Sequence, residues 1–180
     1  MDMKKVFLVL ACLAAYGTSH ALVWGFSAPI IDGSQEVPPT GSSAYGTASF
    51  TLDDVTWELA GSMTVIGIPA TATTGSHIHQ APAGVNGPVI FNLLANQIPG
   101  SPLTSGNMVV YAYRGTLATA NNAATLAAMI AGDTYINVHT PQFPGGEIRG
   151  QITCHGVVPE PATIAALSLG VLPFLRRRKK

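Results

Sequence analysis

Hydrophobic and polar residues alternate along several short stretches of this chain, the pattern of β-strands with one buried face. Between residues 55 and 65, the odd positions are mostly large and apolar, and the even positions are polar or small. A shorter stretch, residues 48–52, precedes it and ends at Asp53-Asp54, residues typical of turns. The same pattern predicts four further strands, at residues 88–93, 107–114, 134–140 and 147–154.

One segment departs from the alternation and predicts a short helix. It begins at Asn121, a favoured N-cap residue, continues through an alanine-rich body and ends at Gly132. Many short strands with a single crossover helix are typical of an all-β fold. We therefore expect an antiparallel Greek-key sandwich or barrel with one short helix.

The first 21 residues have the order of features found in secretory signal peptides. Lys4 and Lys5 precede the apolar run 6–15, and small residues flank Ala21. We expect a signal helix that is cleaved after Ala21 during export. A buried helix of the mature domain is the alternative, but the segment is not amphipathic.

The C-terminal segment, residues 158–180, combines Pro159-Glu160-Pro161, an apolar helix at 162–175 and a tail of five cations. It resembles the PEP-CTERM sorting signal of exported proteins in Gram-negative bacteria that make exopolysaccharide. The resemblance implies transient insertion in the inner membrane and processing near Pro159, Glu160 and Pro161 by an exosortase-type enzyme. Release or attachment at the cell surface, outer envelope or extracellular matrix would follow. A plain membrane anchor is the alternative, although a spanning helix usually needs about 20 apolar residues.

Removal of both signals changes the charge of the protein. Only two cations, Arg114 and Arg149, and eight acidic residues remain between residues 22 and 160, which gives a net charge of −6. Such an acidic domain without a basic patch is a poor candidate for binding nucleic acid or anionic membranes. Cys154 is then the one cysteine left, so no intramolecular disulfide forms, and its place in an alternating strand predicts a buried, unreactive thiol.

Two histidine clusters are the candidate site. His77 and His79 are two residues apart on a predicted strand and therefore project from one face, while Ile78 projects into the core. Asn137 and His139 share a face of another predicted strand in the same way. If the two strands are neighbours, three neutral imidazoles can hold copper or zinc and leave a fourth position for water. Ordinary hydrogen-bonding surface histidines are the alternative.

Glu147 and Arg149 also share one strand face, across Ile148. They are either an ion pair within the strand or residues that support a ligand, together with Asn137. The chain shows no nucleophile with a base, no carboxylate pair and no phosphate-binding loop. We therefore assign no catalytic residues.

The motifs fall in the order found in the CHRD domain, which is named from chordin and also occurs in exported bacterial proteins. The chain resembles this family from about residue 28 to residue 153, and we place the domain at residues 22–157. The matching segments are Ile31-Asp32-Gly33-Ser34-Gln35-Glu36-Val37-Pro38-Pro39, Ser76-His77-Ile78-His79, Tyr135-Ile136-Asn137-Val138-His139-Thr140 and Phe143-Pro144-Gly145-Gly146-Glu147-Ile148-Arg149-Gly150-Gln151.

A looser resemblance is to copper-zinc superoxide dismutases. It implies a copper site at His77, His79 and His139, with Arg149 near the substrate. The chain departs from that family because it lacks the zinc-binding loop, the bridging histidine and a disulfide partner for Cys154. Fold analogy does not establish dismutation.

Two functional hypotheses follow. The first is a non-catalytic module sorted to the cell surface or exopolysaccharide matrix, where it binds polysaccharide or surface proteins. The second is a protein that binds copper or zinc through His77, His79 and His139, with redox activity as an extension.

Overall fold

The computed structural model describes residues 21–159, which form ten strands and one α-helix. The predicted signal helix, and the C-terminal apolar helix from residue 162 onward, lie outside the described residues. Within residues 21–159, no helix is long and apolar enough to cross a membrane. The elements are β1 (Val23–Asp32), β2 (Tyr45–Asp53), β3 (Glu58–Ile66), β4 (Gly75–Gln80), β5 (Val89–Asn92), β6 (Leu103–Ser105), β7 (Met108–Thr116), α1 (Asn122–Ala131), β8 (Thr134–His139), β9 (Ile148–Gln151) and β10 (Thr153–Val157).

All ten strands belong to one antiparallel sheet that curls into a half-barrel. Its neighbour order is β5-β4-β8-β9-β1-β2-β3-β7-β6, and β10 pairs separately with β1. The segment after β5 crosses to β7, where the amide of Ile98 donates to the carbonyl of Ala112 at 3.0 Å and Gln97 bridges to Tyr113. The prediction of a mostly antiparallel β fold with one helix is therefore confirmed.

The core lies inside the curl and is built from the apolar faces of the strands other than β6, whose residues are all exposed. Ile78 of β4 and Ile136 and Val138 of β8 are fully buried in it, as are Leu52 of β2 and Leu59 of β3. Burying one such side chain contributes about 1.5–3 kcal/mol. The polar residues that alternate with Ile78 and Ile136 are thereby held on the opposite face of the sheet.

The predicted helix is confirmed together with both of its ends. The side chain of Asn121 accepts a hydrogen bond from the amide of Ala124 at 3.0 Å, and Gly132 adopts a left-handed conformation with φ of 83°. Asparagine satisfies a free amide at a helix start, and glycine adopts positive φ at a helix end without steric cost.

The predicted strand at residues 55–65 was wrong at its beginning. Asp53 accepts hydrogen bonds from the amides of Val55 and Thr56, and Trp57 has a positive φ of 60°. This turn interrupts the pairing, so β3 starts only at Glu58. The sequence alternates through this turn because Val55 and Trp57 are apolar. In the structure, however, Val55 is 55% exposed.

The predicted strand at residues 147–154 was also wrong, because it is two strands. A break at Ile152 separates β9, which pairs with β8, from β10, which pairs with β1. Cys154 on β10 is half-buried at the edge of the core and not fully buried. β1 was not predicted, although it lies at the centre of the sheet and pairs with β2, β9 and β10.

We predict that Gly61→Ala destabilises the domain by about 1–3 kcal/mol, because it overpacks a strand pair. A Cβ atom at Gly61 would lie 2.7 Å from Cα of Phe50, a backbone atom of the paired strand β2. Chemical denaturation of both proteins measures the difference. Gly41→Ala is the matched control because a Cβ atom there meets no atom within 4 Å. Equal destabilisation by the two substitutions would contradict the prediction.

Candidate metal site

The strands that carry the histidines are neighbours. β4 and β8 pair antiparallel, with Gly75 opposite His139, His77 opposite Asn137 and His79 opposite Tyr135. Because side chains two residues apart share a face, this register places all three imidazoles on the face opposite the core. The condition stated from the sequence, that the two strands are neighbours, is therefore met.

The ring nitrogens of the three histidines converge. One nitrogen of each ring lies within 4.8 Å of one nitrogen of the others, and Nδ1 of His77 lies 3.1 Å from Nε2 of His139. His79 is only 9% exposed, while His77 and His139 are half-buried. The alternative of ordinary surface histidines does not fit His79, which is enclosed in the fold.

Backbone carbonyls orient two of the rings. Nδ1 of His79 lies 2.9 Å from the carbonyl oxygen of Gly87, and Nδ1 of His139 lies 3.0 Å from that of Pro144. Since a carbonyl only accepts, each Nδ1 carries the proton in a neutral ring and donates it. Nε2 of both rings is then a lone pair directed at the cluster, the tautomer that a metal-ligating histidine needs.

Asn137 contacts the lone pair of His79. Its side-chain oxygen lies 3.1 Å from Nε2 of His79, and the residue is only 2% exposed. An amide oxygen does not satisfy a lone pair, so Nε2 requires either the amide group of Asn137 turned around or a cation. Asn137 therefore lies beside the atom of His79 that would bind a metal.

Burial favours the uncharged forms of His77 and His79. It lowers the pKa of His77 to about 4, and the nearby His139 and His79 lower it further in the same direction. Burial also lowers the pKa of His79, although the hydrogen bond to Gly87 opposes this effect. Neutral imidazoles at physiological pH need lose no proton before they bind a metal.

Gly75 makes room for the rings, a role that we did not predict. A Cβ atom at this position would lie 2.9 Å from Cε1 of His77 and 3.4 Å from Cδ2 of His139. The signal was present in the sequence, because Gly75 is two residues before His77 and so shares its strand face. Its importance depends on the pairing with His139, which the sequence does not reveal.

The ring of Tyr135 lies between the guanidinium group of Arg149 and the histidine cluster. The guanidinium carbon is 3.4 Å from the centre of the Tyr135 ring, and the imidazole of His79 stacks on the same ring at 4.8 Å with a 5° angle between planes. Two groups at these distances occupy opposite faces of one ring, so Tyr135 separates Arg149 from His79. Cation–π contact of this kind stabilises a buried guanidinium.

The predicted alternative of a Glu147–Arg149 ion pair was wrong. Glu147 accepts hydrogen bonds from the hydroxyls of Ser42 at 2.7 Å and Thr140 at 2.6 Å, which join two loops. Arg149 is 1% exposed and donates to the side chains of Asn86 and Gln151 and to the carbonyl of Pro82. In the described part of the chain, the salt bridge that does form joins Arg114 and Glu58 at 3.5 Å.

Glu36 is a buried acid that the sequence reading did not select. It is 4% exposed, and burial raises its pKa to about 7, against the opposing effect of the nearby Arg149. Its Oε1 atom has no hydrogen-bond partner. The backbone amide of Val37 does donate a hydrogen bond to the carboxyl group, which also lowers its pKa. A buried acid with a raised pKa and one unpaired oxygen is a candidate functional position.

The cluster has the donor set of a three-histidine metal site with an open position. Two nitrogens bound to a tetrahedral zinc ion at about 2.0–2.1 Å lie about 3.4 Å apart. The distance of 3.1 Å between Nδ1 of His77 and Nε2 of His139 is close to this spacing, and the ligand nitrogen of His79 lies within 4.8 Å of both. Among residues 21–159, these three side chains form the one group of three or more histidine, cysteine or acidic residues with metal-ligand spacing. His155 lies apart, 2.6 Å from the hydroxyl of Ser27.

We predict that His77 makes the stability of the metal-free protein fall as the pH is lowered. Its pKa is about 4 in the folded protein and about 6.5 when unfolded, so the unfolded chain binds the proton first. Above pH 6.5 His77 contributes no dependence, and the loss develops as the pH falls from 6.5 to about 4. Chemical denaturation with a chelator at pH 7, 5.5 and 4.5 measures it.

The variant His77→Asn should lose part of this pH dependence of stability. The variant His155→Asn, at an exposed position of β10, should keep it. Glu36, whose pKa is raised to about 7, makes the protein more stable as the pH falls from 7 to 4.5, which is the opposite effect. The contribution of His77 is therefore measured as the difference between the unmodified protein and each variant. An unchanged pH dependence in His77→Asn would rule out a buried neutral imidazole at this position.

Comparison with known proteins identifies the family but supplies no activity. The model of the CHRD domain family matches residues 26–152. No curated protein and no solved structure matches the chain, so the resemblances to superoxide dismutases and to the PEP-CTERM signal stay predictions. CHRD membership supports at most a non-catalytic domain outside the cytoplasm. With the match extending over most of the described residues and including all three histidines, this chain belongs to the CHRD domain family.

Proposed function

We propose that this CHRD domain is a non-catalytic metal-binding domain that holds one copper or zinc ion between His77, His79 and His139. The observation that carries the proposal is the geometry around His79 and His139. In both rings Nδ1 lies at hydrogen-bonding distance from a backbone carbonyl, which leaves the Nε2 lone pair directed at the same space. The lone pair of His139 faces Nδ1 of His77 at 3.1 Å, whereas that of His79 faces the side-chain oxygen of Asn137 and has no donor.

The energetics of the apo cluster support the same conclusion. Only one proton can lie between Nδ1 of His77 and Nε2 of His139, and Nε2 of His79 faces the Asn137 oxygen. A cation would satisfy all three lone pairs, and imidazole ligands suit copper and zinc. The acidic mature domain, with a net charge of −6, also attracts cations.

The proposal is limited to binding. The superoxide dismutase resemblance implies that Arg149 guides a substrate to the metal, but the ring of Tyr135 lies between Arg149 and His79. Arg149 is also 1% exposed, so it does not meet solvent at the cluster. Redox activity of a bound copper ion is therefore not part of the proposal.

We further propose that the domain acts at the cell surface or in the extracellular matrix. The signal peptide before residue 22 and the segment at residues 158–180 support this location. Among residues 21–159, the group with metal-ligand spacing consists of histidines and does not include Cys154.

We predict that the protein, purified without a tag and stripped with a chelator, binds one copper or zinc ion with a dissociation constant below about 1 μM. Three neutral imidazoles in one enclosed cluster supply enough ligands for stoichiometric binding. Isothermal titration calorimetry and elemental analysis measure affinity and stoichiometry. His77→Ala, His79→Ala and His139→Ala should each abolish stoichiometric binding.

Two further variants sharpen this test. His155→Ala removes a histidine outside the cluster and should leave binding unchanged. Gly75→Ala retains all ligands but places a Cβ atom 2.9 Å from His77, so affinity should fall about tenfold or more, as for other groups that orient ligands. Failure of the unmodified protein to bind either metal below micromolar concentration would overturn the proposed function.

We predict that deletion of residues 158–180 redirects the exported protein from the cell envelope to the medium. The deletion removes the segment that resembles a sorting signal and begins just after β10, which ends at Val157, so all ten strands are retained. It also removes the hydrogen bond from the amide of Val158 to the carbonyl of Val23. Fractionation and immunoblotting of cells that express each form measure the change. Unaltered attachment of the shortened protein would contradict the sorting proposal without affecting the metal proposal.

A further inference from the structure

The start of β1 lies at the position where the sequence predicts removal of the signal peptide. The predicted cleavage separates Ala21 from Leu22, and β1 begins at Val23. Val23 pairs on one side with Asp53, the last residue of β2, and on the other side its carbonyl accepts a hydrogen bond from the amide of Val158 at 2.7 Å. The predicted mature N-terminus therefore lies at the corner of the sheet where β1 begins and where β2 and β10 end.

Asp54 binds the backbone of Leu22 through two hydrogen bonds at this corner. The backbone nitrogen of Leu22 donates to Oδ1 of Asp54 at 2.8 Å, and the amide of Asp54 donates to the carbonyl of Leu22 at 3.1 Å. These bonds extend the ladder between β1 and β2 by one residue, before the partner chain enters the turn at residues 53–57. The side chain of Asp54 thus contacts the atom that becomes the N-terminus when the chain is cleaved after Ala21.

The corner carries two acidic side chains, Asp53 and Asp54, and no cationic side chain pairs with them. In the described part of the chain, the salt bridge that forms joins Arg114 and Glu58. The carboxylate of Asp53 accepts two amides of its own turn, and β10 contributes the apolar Val157. A positive charge on the backbone nitrogen of residue 22 would therefore meet a carboxylate that has no other cationic partner.

Cleavage of the signal peptide supplies that charge. Hydrolysis by an export peptidase breaks the C–N bond between Ala21 and Leu22, adds the oxygen of water to the carbonyl carbon of Ala21 and leaves a free α-amino group on Leu22. This group is mostly protonated at pH 7, and it offers three N–H donors where the amide offers one. Because hydrogen bonds between charged groups are about twice as strong as neutral ones, processing strengthens a contact that already exists.

We propose that removal of the signal peptide creates an ion pair between the α-ammonium group of Leu22 and the carboxylate of Asp54. The pair joins the first residue of the mature chain to the turn between β2 and β3. Its position matters because β1 is the central strand that pairs with β2, β9 and β10. The inference rests on the export that forms part of the proposed function, and it is independent of the metal site.

The test uses the full chain, exported by a Gram-negative host and purified after processing. Intact mass spectrometry should show a chain that begins at Leu22. Reductive methylation with ¹³C-formaldehyde then labels the α-amino group, and its NMR signal, which titrates at lower pH than lysine signals, gives its pKa. Asp54→Asn keeps the acceptor oxygen but removes the charge, so the acid dissociation constant of the α-amino group should rise about two- to fivefold, as expected for an exposed ion pair.

Asp133→Asn is the matched control, because it removes the same charge next to Thr134, whose carbonyl binds the amide of Ile152 at the other end of β10. It should leave the pKa of the α-amino group unchanged, and thermal unfolding shows that each variant is folded. An exported chain that begins at Leu22 but has the same α-amino pKa in Asp54→Asn overturns the ion pair and leaves the export proposal intact. A mature chain that begins at another residue overturns the ion pair together with the proposed cleavage site. Neither result bears on metal binding, since the three histidines are unaltered.

Discussion

The antiparallel ladder between β4 and β8 is the interaction on which the candidate site depends. It pairs His77 with Asn137 and His79 with Tyr135, and a slip by one residue would turn every side chain of one strand to the other face. Ile78 and Ile136, fully buried on the core face, prevent that slip because their exposure would cost the hydrophobic free energy of both. The apolar core thus sets the geometry of the polar site.

Two loops orient the imidazoles that the ladder between β4 and β8 brings together. Gly87 and Pro144, both outside the strands, supply the carbonyls that hold His79 and His139 in the tautomer suited to metal binding. The loop at Pro144 also borders a cavity beside Glu36. Partial burial then lowers the pKa of His77 and His79, so these two imidazoles are held in the neutral form that binds a metal.

Much of the fold was predictable because its signals are local. Capping by Asn121 and Gly132 defined the helix, and alternation located most strands. The errors came where long-range pairing overrides the local pattern. Val55 looks like a strand residue but lies in a turn that Asp53 stabilises. β1 was missed although it is central, because a register shift between Ala28 and Ile31 interrupts the alternation along it.

The sequence by itself determined the family, the all-β class and the fact that His77 and His79 share one strand face, since a period of two follows from backbone geometry alone. Tertiary structure decided that His139 joins them, that Arg149 stacks on Tyr135 and does not pair with Glu147, and that the Oε1 atom of Glu36 is buried without a hydrogen-bond partner. Each of these depends on residues that are more than a dozen positions apart, and only strand pairing and loop packing bring such residues together.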